Sequence, residues 1–256
     1  MYTGLITSRG SLHFPKIEDE EDEIGEYNLM TQLKNYNDFL KRVNELGFMA
    51  LSNILPGFPA LTEETPKELW HTGDYDTDPW CWKDRAAAEK QLAFGCILGG
   101  HKGFVSAAMY RYFYVLFQPQ MIMEERWEEG LVSPDVWKLW QLFEHKTLLN
   151  TSEIRQEMGV TIKKGGSKLD NAIVELQKHY YITVAGSRRK QNKFGEPYGW
   201  PANVYDKVEN WVPVDWLKGY ENIKLDDAKE KLIRTCIDFS KNVNERDLFK
   251  ILALKV

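Results

Sequence analysis

Residues 146–205 are the stretch that decides the fold, and they read KTLLNTSEIRQEMGVTIKKGGSKLDNAIVELQKHYYITVAGSRRKQNKFGEPYGWPANVY. The segment NTSEI at residues 150–154 places capping side chains and an acid at the start of a short helix, which should end at Gly159. A second helix is predicted from Ser167, because apolar residues then recur at spacings of three and four. The residues of this apolar stripe are Leu169, Ile173 and Leu176.

The pattern after the second helix changes to that of a β-hairpin. Residues 181–184 alternate like a strand, residues 187–195 are a polar and basic loop, and residues 197–205 can return as a second strand. Helix, turn, helix and a hairpin with a basic tip follow one another in the order of a winged helix. In that module the second helix lies in a DNA groove while the wing touches the backbone.

The charge of this stretch differs from that of the whole chain. Residues 146–205 contain ten Lys or Arg against five Asp or Glu, a net charge of +5 in a chain whose net charge is −5. Cations gathered at the turn, the second helix and the wing are placed to contact phosphates. The predicted nucleic-acid contacts are Lys163, Lys164, Lys168, Asn171, Lys178, Arg188, Arg189, Lys190 and Lys193. The alternative is a solvated basic surface on a module that contacts only proteins, since many such modules never touch nucleic acid.

Composition bounds the class of the protein. A chain of 256 residues can bury a large core, and its 13% aromatic content, with nine Trp, excludes a disordered chain. The mild acidity argues against a general nucleic-acid coat but is compatible with a local binding face. Three widely spaced cysteines without a C-x-x-C pair, together with the missing signal sequence, predict a cytoplasmic location. No apolar run reaches the length of a membrane span, so no membrane partner is expected, and the sequence leaves the oligomeric state open.

We predict a mainly helical α+β chain with three parts. They are an N-terminal helical domain at residues 1–130, a winged-helix domain at residues 131–216 and C-terminal helices at residues 217–256. An acidic run at residues 18–26 is expected to be solvated. Further helices are predicted at residues 27–46, at residues 109–117 with Ser106 as the cap, from Pro134 onward, and at residues 226–239 and 244–254.

Residues 60–105 hold the candidates for chemistry. The candidate acid–base groups are His71, Asp74, Asp78 and His101. Aspartates alternate at positions 74, 76 and 78, but the downstream glycine and glutamate of an EF-hand loop are absent. A turn is therefore favoured, and neither a metal nor another cofactor is predicted. The glycine-rich residues 98–105 lack the spacing of a phosphate loop, so a tight hairpin with Lys102 exposed is favoured instead.

A helix rich in Trp and cations is predicted at residues 78–92. Two of its tryptophans do not share a helix face, so that one can pack inward while the other lines a cleft. Tryptophans and cations so close together could stack on a base and hold a phosphate. The predicted cleft residues are Trp80, Trp82, Lys83 and Arg85. The alternative is that the tryptophans pack in the core and the charges pair at the surface.

Several segments carry a resemblance to a known family, among them WHTGDYDTDPWCWKDR, LAFGCILGGHKGFVS and FGEPYGW. Residues 151–213 resemble the winged-helix portion of the AlkZ family, bacterial DNA glycosylases built from tandem winged helices that act on alkylated or crosslinked bases. The chain looks more closely like the AlkZ-related proteins over most of residues 46–213. This resemblance implies a winged-helix fold and a link to DNA repair, and it brings no established activity with it.

The departure from the glycosylase pattern follows the first long helix. In the AlkZ glycosylases a Gln-x-Gln or Gln-x-Asp motif places and activates a water beside the sugar of the damaged nucleotide. The comparable stretch here is LGFMALS at residues 46–52. Ala50 has no hydrogen-bonding side chain, and Ser52 is too weak an acid to replace a carboxylate. In this register the hydrolysis cannot proceed as it does in the family.

Two functions are therefore predicted as alternatives. The first is a DNA-binding protein of glycosylase ancestry that recognises damaged DNA. The second is a divergent enzyme, either a glycosylase-like hydrolase or a small-molecule enzyme, with a site around His71, Trp80, Trp82 and His101. A third role, in protein interaction only, rests on the nine Trp, because such residues are also enriched at protein contacts.

Overall fold

Two small antiparallel sheets organise the protein in the computed structural model, which describes residues 32–160, 166–239 and 243–254. The strands are β1 (Phe48–Ala50), β2 (Leu92–Leu98), β3 (His101–Ser106), β4 (Leu149–Asn150), β5 (Ile182–Gln191) and β6 (Pro197–Lys207). Their order is β1-β3-β2 in the first sheet and β4-β6-β5 in the second. The α-helices are α1 (Tyr36–Leu46), α2 (Pro79–Ala88), α3 (Ala107–Phe117), α4 (Met123–Glu128), α5 (Pro134–His145), α6 (Thr151–Glu157), α7 (Gly166–Lys178), α8 (Val208–Trp211), α9 (Leu225–Phe239) and α10 (Glu245–Ile251). The fold is α+β, as predicted.

Some predicted features fall outside this description. The acidic run at residues 18–26, together with Lys163 and Lys164, lies outside the described residues. Among the helices that are described, none combines the length and the apolarity needed to cross a bilayer. The domain boundaries at residues 130 and 216 stay predictions.

Helix α1 begins at Tyr36, whereas the apolar spacing predicts a start at residue 27. The described residues before Tyr36 are not helical. Asn35 has an extended backbone, and its side chain accepts a hydrogen bond from the Asp38 N–H at 2.9 Å. The predicted continuous helix is therefore wrong at residues 32–35, because an N-cap inside the apolar pattern decides where α1 begins. The predicted start at residue 27 lies outside the described residues.

Strands β2 and β3 form the tight hairpin that the sequence predicts, and Lys102 is exposed. Gly99, in its turn, has a φ of +61° and lies close to another segment of the chain. A Cβ atom at Gly99 would come within 2.5 Å of the carbonyl carbon of Leu252. Glycine at position 99 therefore allows both the positive φ of the turn and the close approach of the Leu252 backbone.

Helix α3 buries one side, whereas its apolar composition predicts burial all round. Its buried side chains are Met109, Tyr110, Phe113 and Phe117. Ala108 is exposed, and the other residues of the helix are half-buried. Ser106, the predicted cap, makes no side-chain capping bond, and its buried hydroxyl has no partner within the described residues. The predicted burial all round is wrong, whereas Ser106 lies at the predicted cap position without making the capping bond.

The helices beside the second sheet begin where the sequence predicts. Ser133 caps α5 by accepting a hydrogen bond from the Val136 N–H at 3.3 Å. Asn150 and Glu153 form a reciprocal capping box at the start of α6. The predicted apolar stripe of α7 is buried at Leu169, Ile173 and Leu176. The predicted starts of α5 and α6 and the predicted apolar stripe of α7 are confirmed.

The β5–β6 hairpin is longer than predicted. Residues 187–191 pair with β6, so that only residues 192–196 connect the two strands. The Asn192 side-chain oxygen closes the connection by accepting hydrogen bonds from the N–H groups of Phe194 at 2.9 Å and Glu196 at 3.0 Å. The polar sequence of residues 187–191 reflects exposure of the outer hairpin, and the predicted loop boundary is wrong for that reason.

One buried amide fixes α7 against the first sheet. Gln177 Oε1 accepts a hydrogen bond from the Cys96 N–H of β2 at 3.1 Å, and Gln177 Nε2 donates to the Ile173 carbonyl at 3.2 Å. Gly95, at an irregular position of β2, leaves room for the amide, since a Cβ there would lie 2.5 Å from Gln177 Oε1. The hydrogen bond between the Gln177 side chain and the Cys96 N–H thus attaches helix α7 to strand β2.

One buried carboxylate organises the loop before α2. Asp78 caps this helix and accepts hydrogen bonds from the N–H groups of His71 at 3.0 Å, Gly73 at 2.9 Å and Trp80 at 2.8 Å. His71 has a φ of +65°, which is uncommon for a residue other than glycine. The Asp78 carboxylate therefore stabilises a left-handed backbone at His71 as well as the helix start.

We expect Gln177→Ala to lower the free energy of unfolding by about 1–3 kcal/mol, because the buried Cys96 N–H loses its acceptor. Thermal unfolding followed by circular dichroism measures the change. Gln156→Ala, at an exposed position of α6, is the matched control and should stay within about 0.5 kcal/mol of the original protein. Equal stability of the two variants would contradict this account of α7.

We expect Asp78→Ala to cost about 2 kcal/mol or more, since the α2 cap is lost and two further N–H groups lose their acceptor. Asp78→Asn should be intermediate, because its amide retains one acceptor oxygen. Urea denaturation should therefore rank the midpoints as original protein, Asn variant and Ala variant. An alanine variant that unfolds at the original midpoint would refute the role assigned to Asp78.

Candidate nucleic-acid interface

The outer half of the β5–β6 hairpin carries most of the predicted cations. Arg189, Lys190 and Lys193 are exposed, and within the described part of the chain no carboxylate forms an ion pair with them. Arg188 differs, because its guanidinium pairs with Glu153 Oε1 at 3.2 Å and donates to the backbone carbonyl of residue 148 at 3.2 Å. Three cations of the hairpin therefore face solvent, while the fourth anchors the hairpin to the start of α6.

Exposed aromatic side chains accompany these cations, and the sequence reasoning did not assign them a binding role. Phe194 is 75% exposed, Tyr198 51% and Trp200 70%. Single exposed apolar side chains are common, but a concentration of them on one surface is typical of interaction sites. The sequence feature that indicates such a role is the position of these aromatic residues beside the basic run, at the exposed end of a hairpin.

Helix α7 presents only part of its length to solvent. Lys168 and Asn171 are exposed, as predicted for groove contacts. Lys178 is half-buried, and its Cδ lies 3.8 Å from the place that a Cβ of Gly100 would occupy. The β2–β3 hairpin therefore lies against the C-terminal end of α7, and Lys178 is poorly placed for a groove contact.

The Asp78 loop brings two predicted residues to the β5–β6 hairpin. The His71 ring centroid lies 5.0 Å from that of Trp80 and 5.7 Å from that of Trp200. The His71 and Trp200 ring planes are nearly perpendicular, at 85°. These three rings, called the aromatic cluster below, connect the Trp-rich region to the basic hairpin. The sequence pattern predicts these two regions as separate sites.

The other predicted cleft residues turn inward. Trp82 is fully buried and donates its Nε1–H to the backbone carbonyl of residue 76 at 2.7 Å. Lys83 is buried, with its Nζ 2.5 Å from an Asp84 carboxylate oxygen and 4.3 Å from the Trp80 centroid. These two residues do not line an open cleft.

Arg85 is likewise engaged. Its guanidinium lies 3.9 Å from the Tyr36 ring centroid and 4.8 Å from that of Tyr75. Its Nε donates to Glu89 Oε1 at 2.9 Å. Arg85 therefore fastens α1 to α2 and has little freedom to hold a phosphate.

The four candidate acid–base groups do not converge. Asp78 is buried and uses both carboxylate oxygens on N–H groups. At Asp74, hydrogen bonds from the Thr77 N–H and hydroxyl and from the Asp76 N–H lower the pKa of the carboxyl. His101 is exposed at the start of β3 and shares no hydrogen bond or ring contact with His71 within the described residues.

Thiol and metal chemistry find no site here either. Burial, with a further contribution from the Asp78 charge, raises the pKa of Cys81 to about 11, so this thiol stays protonated at neutral pH. In the three described ranges no group of three or more His, Cys, Asp or Glu side chains is arranged to hold a metal ion.

The positions compared with the glycosylase motif lie in different environments. Ala50 is fully buried in β1, where its N–H donates to the Pro59 carbonyl at 2.9 Å and its side chain belongs to an apolar cluster with Phe48 and Phe58. Ser52 is exposed beyond the end of the strand. The correspondence of these positions with the motif stays a prediction.

Three cavities lie elsewhere in the described part of the chain. One of about 230 Å³ is bordered by Trp140 and Tyr181, and one of about 600 Å³ adjoins it at Tyr114. A third, of about 280 Å³, lies between α7 and β2 beside Lys102. None of these three is lined by the aromatic cluster or by His101.

A family model matches most of the chain. The model of a family described as AlkZ related matches residues 33–253. No curated protein and no solved structure matches the chain. The family match begins before α1, includes both sheets and reaches beyond α10. The chain therefore belongs to the AlkZ-related family.

Proposed function

We propose that the protein binds DNA through the β5–β6 hairpin and the first turns of α7, as a winged helix of DNA-glycosylase ancestry. The observation that carries the proposal is the set of exposed hairpin cations without a carboxylate partner in the described residues, Arg189, Lys190 and Lys193. Cations on a projecting ribbon are free to replace the counterions of a phosphate backbone, which favours association by counterion release.

The order of elements supports the winged-helix assignment. Helix α5, strand β4, helices α6 and α7 and the β5–β6 hairpin follow one another along the chain, with β6 between β4 and β5. In DNA-binding modules of this kind one helix enters the groove. Because the β2–β3 hairpin covers the end of α7, we assign groove contacts to Lys168 and Asn171 and backbone contacts to the hairpin cations.

Family membership supports the choice of DNA as the polyanion. The AlkZ-related family suggests a fold related to DNA glycosylases. We further propose that the protein recognises damaged DNA without removing the base. Ala50 offers no group to activate a water, and its burial among apolar side chains favours a role in packing.

A catalytic alternative finds less support. His71 and Trp80 meet in the aromatic cluster, but Trp82 is buried and His101 makes no contact with His71 among the described residues. A site built from all four side chains would require them to line one cleft. The burial of Trp82 and the separate position of His101 do not support such a cleft.

We expect the triple variant Arg189→Ala, Lys190→Ala, Lys193→Ala to weaken DNA binding by roughly tenfold or more at moderate salt, because three phosphate contacts are lost. The slope of log K against log salt should become less steep by about 2.7 for duplex DNA. Fluorescence anisotropy with a labelled duplex, titrated at several salt concentrations, measures both quantities.

The matched control removes the same charge from exposed positions near and within α9, by Lys218→Ala, Lys224→Ala and Lys231→Ala. This control should keep the affinity and salt slope of the original protein. If both triple variants lose affinity equally, only net charge matters and the assigned interface is wrong. Absent or salt-insensitive binding by the original protein would overturn DNA binding itself.

We expect an oligonucleotide with an alkylated base to keep its glycosidic bond during long incubation with excess protein. Heating in alkali cleaves the strand at any abasic site, and gel electrophoresis then reveals base release. No release above the protein-free control is the expected result. Release that disappears in His71→Ala or His101→Ala would instead establish the catalytic alternative.

A further inference from the structure

We infer that Trp200, supported by His71, is a stacking platform for an unpaired nucleobase, so that the preferred ligand is DNA with a base outside the double helix. This inference rests on the proposed DNA-binding function. It adds a ligand class and a residue with a defined role to that function.

The path of β6 explains how Trp200 reaches His71. Arg188 pairs with Ala202 and Lys190 pairs with Tyr198, so residues 199–201 of β6 lie opposite a single residue of β5. Such a bulge re-aims a side chain out of the regular alternation of a strand. Gly199, with a φ of +71°, supplies the backbone conformation that the bulge needs.

The partner of Trp200 is itself fixed from behind. The His71 N–H donates to Asp78 Oδ1 at 3.0 Å, and the His71 ring lies 5.0 Å from Trp80. Trp80 in turn is backed by Lys83 Nζ, 4.3 Å from its ring centroid. The left-handed backbone of His71 is thus held by a buried carboxylate, and strain of this kind concentrates at ligand-binding sites.

Trp200 combines this support with an accessible ring. Its side chain stays 70% exposed although it contacts His71, and it lies in the bulge opposite Arg189. An exposed indole opposite a cation that has no carboxylate partner in the described residues is suited to stack on a base while this cation holds the adjoining phosphate. In a fully paired duplex both faces of a base are already stacked on neighbours. The platform therefore favours a base that has left the stack.

The test compares labelled oligonucleotides that differ in one feature. One oligonucleotide is a fully paired duplex, and the second is a duplex with a single unpaired nucleotide. In the second, the unpaired base is 2-aminopurine, whose fluorescence reports whether it stacks. Affinities for both are measured with the full chain by competition at one salt concentration. The original protein should bind the unpaired site more tightly by several-fold and quench its 2-aminopurine.

Trp200→Ala should lose about 5- to 150-fold in affinity for the unpaired site, the range for removal of a base-stacking side chain. Its affinity for the paired duplex should change less than twofold, and the quenching should disappear. Trp200→Phe should retain the preference. Trp127→Ala is the matched control, because Trp127 is an exposed tryptophan of α4, outside the hairpin and the aromatic cluster, and it should leave both affinities within twofold.

Equal affinity of the original protein for paired and unpaired sites would overturn the platform while leaving salt-dependent DNA binding intact. A Trp200→Ala variant that keeps the preference, or that loses both ligands alike, would also overturn it. Failure to bind any oligonucleotide would instead remove the DNA-binding proposal. Capture of a protein partner that requires Trp200, without oligonucleotide binding, would assign this surface to protein recognition.

Discussion

The ladder between β5 and β6 is the interaction on which the exposed surface depends. A two-stranded ribbon is only marginally stable in water by itself, and β4 supports this one over just two residues. The outer hairpin is held instead by contacts on its sides, where Arg188 pairs with Glu153 and Trp200 lies against His71. Without these contacts the cations at its end would have no fixed position.

The basic residues near this hairpin are of two kinds, those that form ion pairs and those that remain in solvent. Arg188 forms an ion pair with Glu153 and donates to a backbone carbonyl, and Arg155 forms an ion pair with Asp170 at 3.1 Å. Arg189 and Lys190 remain in solvent on the same strand. The net charge of the chain is −5, but this short segment of cations without carboxylate partners in the described residues gives the surface a local positive charge.

The sequence predicts this structure best where two local signals agree. Residues at the helix starts locate α5 and α6, apolar spacing locates α7, and Gly99 with Gly100 locates the first hairpin turn. It fails where one signal misleads, as at Asn35, whose cap interrupts an apolar pattern that continues upstream. The strand at residues 187–191 was missed because an exposed ribbon has no apolar face to reveal it.

The candidate site could be predicted only in pieces. The basic run and the Trp-rich loop are both visible in the sequence, but their meeting depends on a bulge at residues 199–201 and on the left-handed backbone of His71. Neither follows from local propensity, because the bulge is fixed by pairing across the hairpin and the backbone by the Asp78 carboxylate. A contact with Tyr36 on another helix also engages Arg85, which the spacing of Arg85 along its own helix does not indicate.

The central proposal is that the outer hairpin and the start of α7 together contact a nucleic acid. Hydrogen–deuterium exchange of the full chain with and without a saturating oligonucleotide tests it most directly, because backbone amides report where solvent access changes. The account predicts slower exchange at residues 187–200 and 166–171, with α9 unchanged. Protection confined to the cavities beside Tyr114 and Trp140, or no protection at any peptide, would contradict it.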